Sequence, residues 1–273
     1  MPELPEVETV RNYLKKNILN KKIIDIDILY PKMIENDLNF FKDNLINNYF
    51  IDIKRKGKYL IFETNNNYLI SHLRMEGKFN IKDKDDMITK HEHVIFYFDD
   101  FTLRYDDTRK FGRMKLINKE SFNDYFVNIG EDANNVNDIN EIYNKIHKSS
   151  NMIKTILLDQ SIISGIGNIY ADEILFDSKI SPFKKGKEIT KEGLENILKS
   201  SKKILNEAIK YKGTTIKSFT SAYHQKGSYQ NFIMVHTKNK CSICNSNIIK
   251  TKINGRSTYY CKVCQKVKKW KNK

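Results

Sequence analysis

At 273 residues the chain is long enough for a sizeable core and for two domains. No 18-residue apolar run and no signal-peptide pattern occurs, so a soluble, cytoplasmic protein is expected rather than a membrane-spanning or secreted one. The formal net charge of +15, from 48 Lys and Arg against 33 Asp and Glu, points to a polyanionic partner such as nucleic acid.

Lys, Asn and Ile are abundant throughout, as an AT-rich coding sequence would make them, so lysine content alone says little about function. Arginine is more informative. There are seven, at Arg11, Arg55, Arg74, Arg104, Arg109, Arg113 and Arg256, and a forked, always-charged donor suits phosphate.

The chain opens on Met1-Pro2-Glu3-Leu4-Pro5-Glu6-Val7-Glu8. If Met1 is removed, which the small residue behind it permits, Pro2 carries a free secondary amine. An α-amino group titrates near 7.7 to 8.0 against about 10.4 for lysine, so at neutral pH its unprotonated fraction is larger by roughly a hundredfold or more. Such an amine can attack a sugar or carbonyl carbon and form a Schiff base, with Glu3 beside it as acid or base. The plainer reading is a helix start, with Pro5 at the first helical position and Glu6 and Glu8 facing the positive end of the dipole.

A helix is predicted from about residue 5 to 19. Ile24, Ile26 and Ile28 then alternate with Asp25 and Asp27, the period of a half-buried strand. Similar runs at 49–55, 59–63, 68–72, 94–98, 101–105 and 114–118, joined by short turns, predict an antiparallel sandwich or barrel. From about 130 to 150 the chain is polar and Asn/Asp-rich, with one short helical piece near 140–147, and reads as a linker. Beyond it the period is helical over 152–159, 168–178 and 191–211, the last closed by Lys212-Gly213.

Three constellations carry chemistry. Cys241 and Cys244, then sixteen residues, then Cys261 and Cys264 match a closed tetrahedral zinc site better than redox-active or buried thiols do. Between these knuckles lies Gly255-Arg256-Ser257-Thr258, a basic turn suited to phosphate. Gly165-Ile166-Gly167-Asn168 opens a helix, either as an amide-lined phosphate site with Asn168 as the cap or as a simple tight turn. His72-Leu73-Arg74-Met75-Glu76-Gly77 and Asp107-Thr108-Arg109-Lys110-Phe111-Gly112 place apolar and cationic side chains in turns. Such pairs wedge open duplex nucleic acid, although Met75 and Phe111 could equally be core residues. Lys58 adds a cation at the start of a strand.

In this order, with Gly57-Lys58-Tyr59-Leu60, Lys90-His91-Glu92-His93 and Leu157-Leu158-Asp159-Gln160 between them, these motifs resemble bacterial formamidopyrimidine-DNA glycosylases over nearly the whole chain. The resemblance implies an α+β multidomain protein. It would have an N-terminal antiparallel β-sandwich with flanking helices (1–130), a linker (131–150), a helical helix-two-turn-helix domain (151–236) and a β-hairpin zinc finger (237–273). It implies a monomeric base-excision repair enzyme acting on double-stranded damaged DNA, removing 8-oxoguanine and formamidopyrimidines and then cutting the strand by β,δ-elimination. Pro2 would attack C1′, Glu3 would act as acid and base, Lys58 would assist β-elimination, and Arg256 would bind phosphate for δ-elimination. His91, Arg109, Asn168 and Lys154 would contact DNA, while Met75, Arg109 and Phe111 would fill the gap left by a flipped nucleotide. One structural Zn2+ would sit on Cys241, Cys244, Cys261 and Cys264.

The chain also departs from that pattern. His236 to Lys240 lacks the usual Tyr-Gly-Arg, Ser149-Ser150 replaces a basic run, and the segment resembling a lesion-recognition loop, 218–229, is individual. Two rival readings remain. A sibling of the endonuclease VIII type, acting on oxidised pyrimidines, is disfavoured by Leu4, where it resembles Pro-Glu-Gly-Pro. A zinc-ribbon nucleic-acid binder without catalysis would leave Pro2, Glu3 and Lys58 idle.

Overall fold

In the computed structural model, which describes residues 1–214 and 227–266, the chain begins with helix α1, Leu4–Ile18. Val7, Val10, Leu14 and Ile18 recur on one face and all are buried, which is why this stretch is helical and where it packs. Strand β1 (Asp25–Ile28) and helix α2 (Leu38–Leu45) follow. The Asp37 carboxylate caps α2 by accepting from Asn39 N and Phe40 N, each at 3.0 Å.

Seven more strands come in quick succession: β2 (Asp52–Lys56), β3 (Tyr59–Glu63), β4 (Asn67–His72), β5 (Lys78–Lys82), β6 (Glu92–Tyr97), β7 (Thr102–Asp106) and β8 (Arg113–Asn118). They form two four-stranded antiparallel sheets, β1-β6-β7-β5 and β2-β3-β4-β8. One core holds residues from α1, such as Val10, and from both sheets, such as Leu60, Phe62, Phe79 and Phe96. The predicted sandwich is thus present. Two of its parts do not follow from the expected elements. Strand β5 carries the alternation Phe79, Ile81 between Lys78, Asn80 and Lys82, but only Phe79 is fully buried. Helix α2 lies in Asn-rich sequence with two buried side chains, Phe41 and Leu45. A short helix α3 (Phe122–Tyr125) ends this part of the chain.

The described residues divide into two compact units, 1–127 with 211–214 and 227–228, and 128–210 with 229–266. The second unit contains strand β9 (Glu131–Asp132), helices α4 (Ile139–His147) and α5 (Ile153–Leu157), strand β10 (Ile163–Ser164), and helices α6 (Asn168–Asp177) and α7 (Lys191–Lys210). The polar stretch 131–150 is more structured than its composition suggests. β9 pairs in parallel with β10, the Asp138 carboxylate caps α4 through Glu141 N at 2.9 Å, and Ile142 and Ile146 bury the apolar face of that helix. Lys212 (φ 61°) and Gly213 (φ 77°) turn left-handed just beyond α7, as helix C-termini commonly do.

The unit ends in a hairpin, β11 (Ile248–Ile253) with β12 (Arg256–Cys261). Its tip is Asn254-Gly255, with φ 44° and 75°. Both tip residues need positive φ in this tight turn type, and Asn-Gly supplies it at least strain. No helix among the described residues is long and apolar enough to cross a membrane.

Candidate active site and metal centre

The amino terminus is held by its own helix. Pro2 is buried while Met1 remains 43% exposed. Glu3 occupies the N-cap position and Pro5 follows within the first turn. The Glu6 carboxylate accepts the Glu3 N–H at 2.9 Å with Oε2, and with Oε1 it accepts Thr214 N at 2.7 Å and Thr214 Oγ1 at 3.0 Å. One buried acid therefore fixes the residue beside Pro2 and the chain that returns after α7. Glu8, expected to serve the helix dipole, instead forms ion pairs with Arg11 and with Arg55, the latter at 2.8 Å. Its position beyond the first turn explains the change. Arg55 also donates to Gly57 O at 3.0 Å, which ties α1 to the two-residue turn bearing Lys58. Gly57 sits there at φ 56°, and Lys58 is 5% exposed.

His72, at the end of β4, accepts from Arg74 N at 2.9 Å through Nδ1. Burial, reinforced by the charges of Arg74 and Lys58, brings its pKa down to about 3, so the imidazole is neutral at physiological pH. Met75 in the following loop is half-buried. His91 is likewise half-buried, and its carbonyl accepts Asp107 N at 2.9 Å. The turn after β7 is organised by Asp107, whose buried carboxylate accepts Arg109 N at 3.0 Å, Phe111 N at 2.9 Å and Gly112 N at 2.7 Å. That scaffold leaves Arg109 exposed and Phe111 47% exposed, with the guanidinium 4.7 Å from the ring centroid. Phe111 is therefore not a core residue.

In the second unit, Gln160 shapes the glycine turn. Its amide donates to Leu158 O and Ile166 O at 3.0 Å, and its oxygen accepts Gly165 N at 2.9 Å. Gly167 rather than Asn168 is the N-cap of α6. Gly167 takes up the extended backbone needed there, so Asn168 begins the helix instead, with a buried Oδ1 that has no protein partner among the described residues.

Lys154 is not placed for direct DNA contact. It is fully buried, with its ammonium on Asp172 at 2.7 Å, Ser257 O at 2.8 Å and Thr258 Oγ1 at 3.0 Å. Burial of so large a cation requires such pairing, and the pairing directs it to the residues beside Arg256. Asp172 also accepts Tyr259 N at 3.2 Å and contacts His236 Nδ1 at 2.8 Å. Glu173 accepts Met234, Val235 and His236 N–H groups at 2.7, 3.0 and 2.7 Å. Burial raises its pKa despite those donors. Arg256 itself is the exposed first residue of β12.

The four cysteines converge. Their sulfurs lie within 4.8 Å of one another, with Cys241 to Cys264 at 3.7 Å and Cys244 to Cys261 at 3.5 Å. A tetrahedral ion with bonds of about 2.3 Å would hold its sulfurs about 3.8 Å apart, so the cluster fits a metal ion. Ser246, through its side chain and backbone, pulls the Cys244 thiol down to about 6, while burial pushes that of Cys264 up. The segment 218–226 lies outside the described residues.

Two of these residues carry a signal legible in the sequence. Glu6 stands three residues after Glu3 in a capping-box register, and Asp107 precedes its turn as an Asx residue would. Asp172 and Glu173 had none, because the amides they accept, Tyr259 N and Met234 N to His236 N, lie more than 60 residues away.

Residues 1–114 match the family described as formamidopyrimidine-DNA glycosylase N-terminal domain, and 129–220 match the formamidopyrimidine-DNA glycosylase H2TH domain. The formamidopyrimidine-DNA glycosylase of Mycoplasma genitalium is 46% identical over 98% of this chain and 96% of its own. That of Listeria monocytogenes is 38% identical over 97% and 100%. Among solved structures, a mutant Lactococcus lactis enzyme bound to DNA containing Fapy-dG superposes with a TM-score of 0.93 at 40% identity, covering 97% of this chain and 100% of that one. The Lactococcus lactis protein bound to DNA with an abasic site gives 0.92 at 40% identity, with the same coverage.

Proposed function

The chain belongs to the formamidopyrimidine-DNA glycosylase family, and we propose that it removes oxidised purines from DNA with Pro2 as nucleophile. It is a DNA-repair glycosylase and abasic-site lyase whose partner is damaged DNA. With Met1 gone, the Pro2 nitrogen attacks C1′ of the damaged nucleotide and the bond from C1′ to the base breaks. The electron pair leaves with the base, which takes up a proton; the Pro2 nitrogen then loses its own proton, its lone pair breaks the C1′–O4′ bond as O4′ is protonated, and an iminium joins Pro2 to C1′ of the opened sugar. Glu3 serves as the acid and base at the sugar ring oxygen and the base. Loss of a C2′ proton expels the 3′ phosphate, aided by Lys58. A second elimination expels the 5′ phosphate, held by Arg256.

The observation that carries this reading is the bracing of the terminus. Pro2 and Glu3 are buried at the head of α1, Glu6 holds the Glu3 amide, and Glu8 reaches the Lys58 turn through Arg55. A chain start normally frays, whereas this one is held as a catalytic amine must be. The target carbon is unreachable inside a stacked duplex, so the nucleotide must be flipped out. Met75, Arg109 and Phe111 fill the vacated space, and the outward presentation of Phe111 supports that use. His91 and Asn168 contact the DNA backbone, and Lys154 acts through the hairpin it grips rather than by touching DNA.

Cys241, Cys244, Cys261 and Cys264 would hold one zinc ion. With a thiolate at all four positions it would supply no catalytic chemistry and would serve to hold both knuckles and hence the β11–β12 hairpin. The test is excision from duplexes containing 8-oxoguanine or thymine glycol, using protein beginning at Pro2 and protein retaining Met1. Cleavage of the 8-oxoguanine duplex in preference to the other, by the processed form alone, is expected. Equal activity with Met1 retained would remove Pro2 from the mechanism.

A further inference from the structure

Two loops of the first unit carry the side chains assigned to the DNA stack, and the closing residues of both abut the same atom. The Met75 loop closes where Gly77 N donates to Leu73 O at 3.0 Å. The Arg109–Phe111 turn closes where Gly112 N donates to Asp107 Oδ2 at 2.7 Å. Between the two glycines stands the hydroxyl of Tyr105. This residue rises from β7, fully buried, with its ring edge-on to Phe79 at a centroid distance of 5.0 Å.

Neither glycine can gain a side chain while that hydroxyl is there. A Cβ at Gly77 would overlap it and also lie 2.7 Å from Leu73 O. A Cβ at Gly112 would overlap it too, and the three nearest atoms at that position all belong to Tyr105, Cζ being 2.7 Å away. The hydroxyl has no hydrogen-bond partner among the described residues. Unsatisfied buried groups of this kind are uncommon and call for an explanation. Phenylalanine would keep the ring's packing against Phe79 and omit the unsatisfied oxygen, so the core does not account for tyrosine here. What the oxygen touches is the closing residue of each loop.

We propose that Tyr105 is a positioning residue whose hydroxyl sets the spacing between the Met75 loop and the Arg109–Phe111 turn, so that their side chains enter the DNA stack in register. The inference rests on the wedge role given to those side chains above. It assigns Tyr105 no contact with substrate.

The experiment compares wild type, Tyr105→Phe, Gly112→Ala and the double variant on two substrates. One is 8-oxoguanine in duplex DNA, and the other is an abasic site in single-stranded DNA, where there is no stack to fill. Tyr105→Phe is expected to lose about tenfold in kcat/KM on the duplex and less than about twofold on the single strand, the split expected of a misplaced wedge. Its melting temperature should be unchanged or higher, because an unsatisfied hydroxyl has been removed. Gly112→Ala should lose more on the duplex than Tyr105→Phe does. Because the severest overlap, with the oxygen, is absent and only the 2.7 Å approach of Cζ remains, the double variant should recover in part over Gly112→Ala, a departure from additivity that marks direct coupling. Wild-type activity of Tyr105→Phe on the duplex, equal losses on both substrates, or additive effects in the double variant would overturn the proposal. Failure of wild type to excise 8-oxoguanine would instead count against the activity on which it rests.

Discussion

At the scale of single residues, the site is built by buried acids that answer backbone amides. Glu6 serves Glu3 and Thr214, Asp107 serves Arg109, Phe111 and Gly112, and Glu173 serves three consecutive amides from Met234. Carboxylates accepting several such donors lock a turn firmly, since each bond to a charged group contributes roughly 1.5–3 kcal/mol. His72 behaves oppositely. Its folded pKa of about 3 lies below the ordinary histidine value of 6.5 because burial, Arg74 and Lys58 all disfavour the charged ring. Between those two pH values the unfolded chain binds a proton that the folded chain refuses, so stability falls as pH drops through the window, by on the order of 5 kcal/mol in full. Urea unfolding at several pH values should show a shallower acid loss for His72→Gln than for wild type, and parallel curves would contradict this. The sequence pointed to residues whose chemistry is local, such as the Pro2 amine and the cysteine knuckles. It did not reveal Asp172 or Glu173, whose roles depend on partners brought close only by folding.

At the scale of elements, the hairpin β11–β12 shows how a weak unit is made rigid. Two strands alone are marginal in water, and this pair has external supports that include the cysteine cluster at one end, Lys154 beside Arg256 and Asp172 at Tyr259 N. Arg256→Ala should therefore weaken DNA binding and abolish the δ-elimination product while one zinc per chain is retained. Loss of zinc in that variant, measured by metal analysis, would show that the substitution acts through folding. The hairpin was legible in its Asn254-Gly255 tip and its knuckles, as was α1 in its apolar period. Strand β5 and helix α2 were less so, because their alternation and periodicity are carried by few buried side chains amid Lys and Asn. The 131–150 stretch has the composition of a linker because polar residues such as Asp138 serve as caps and its buried side chains are few, notably Ile142 and Ile146.

For the whole molecule, charge and architecture point the same way. A net charge of +15 suits a DNA partner, and binding to it should weaken steeply with salt. That property would be shared by a binder without catalysis, so it does not distinguish the enzyme. The chemistry at the amino terminus does. Borohydride reduction during turnover of 8-oxoguanine duplex, followed by proteolysis and mass spectrometry, locates the residue that carries the sugar. The sugar remnant is predicted on the amino-terminal peptide, at the Pro2 nitrogen, in protein that has lost Met1. A remnant on Lys58 or any other lysine, with Pro2 unmodified, would contradict the assignment.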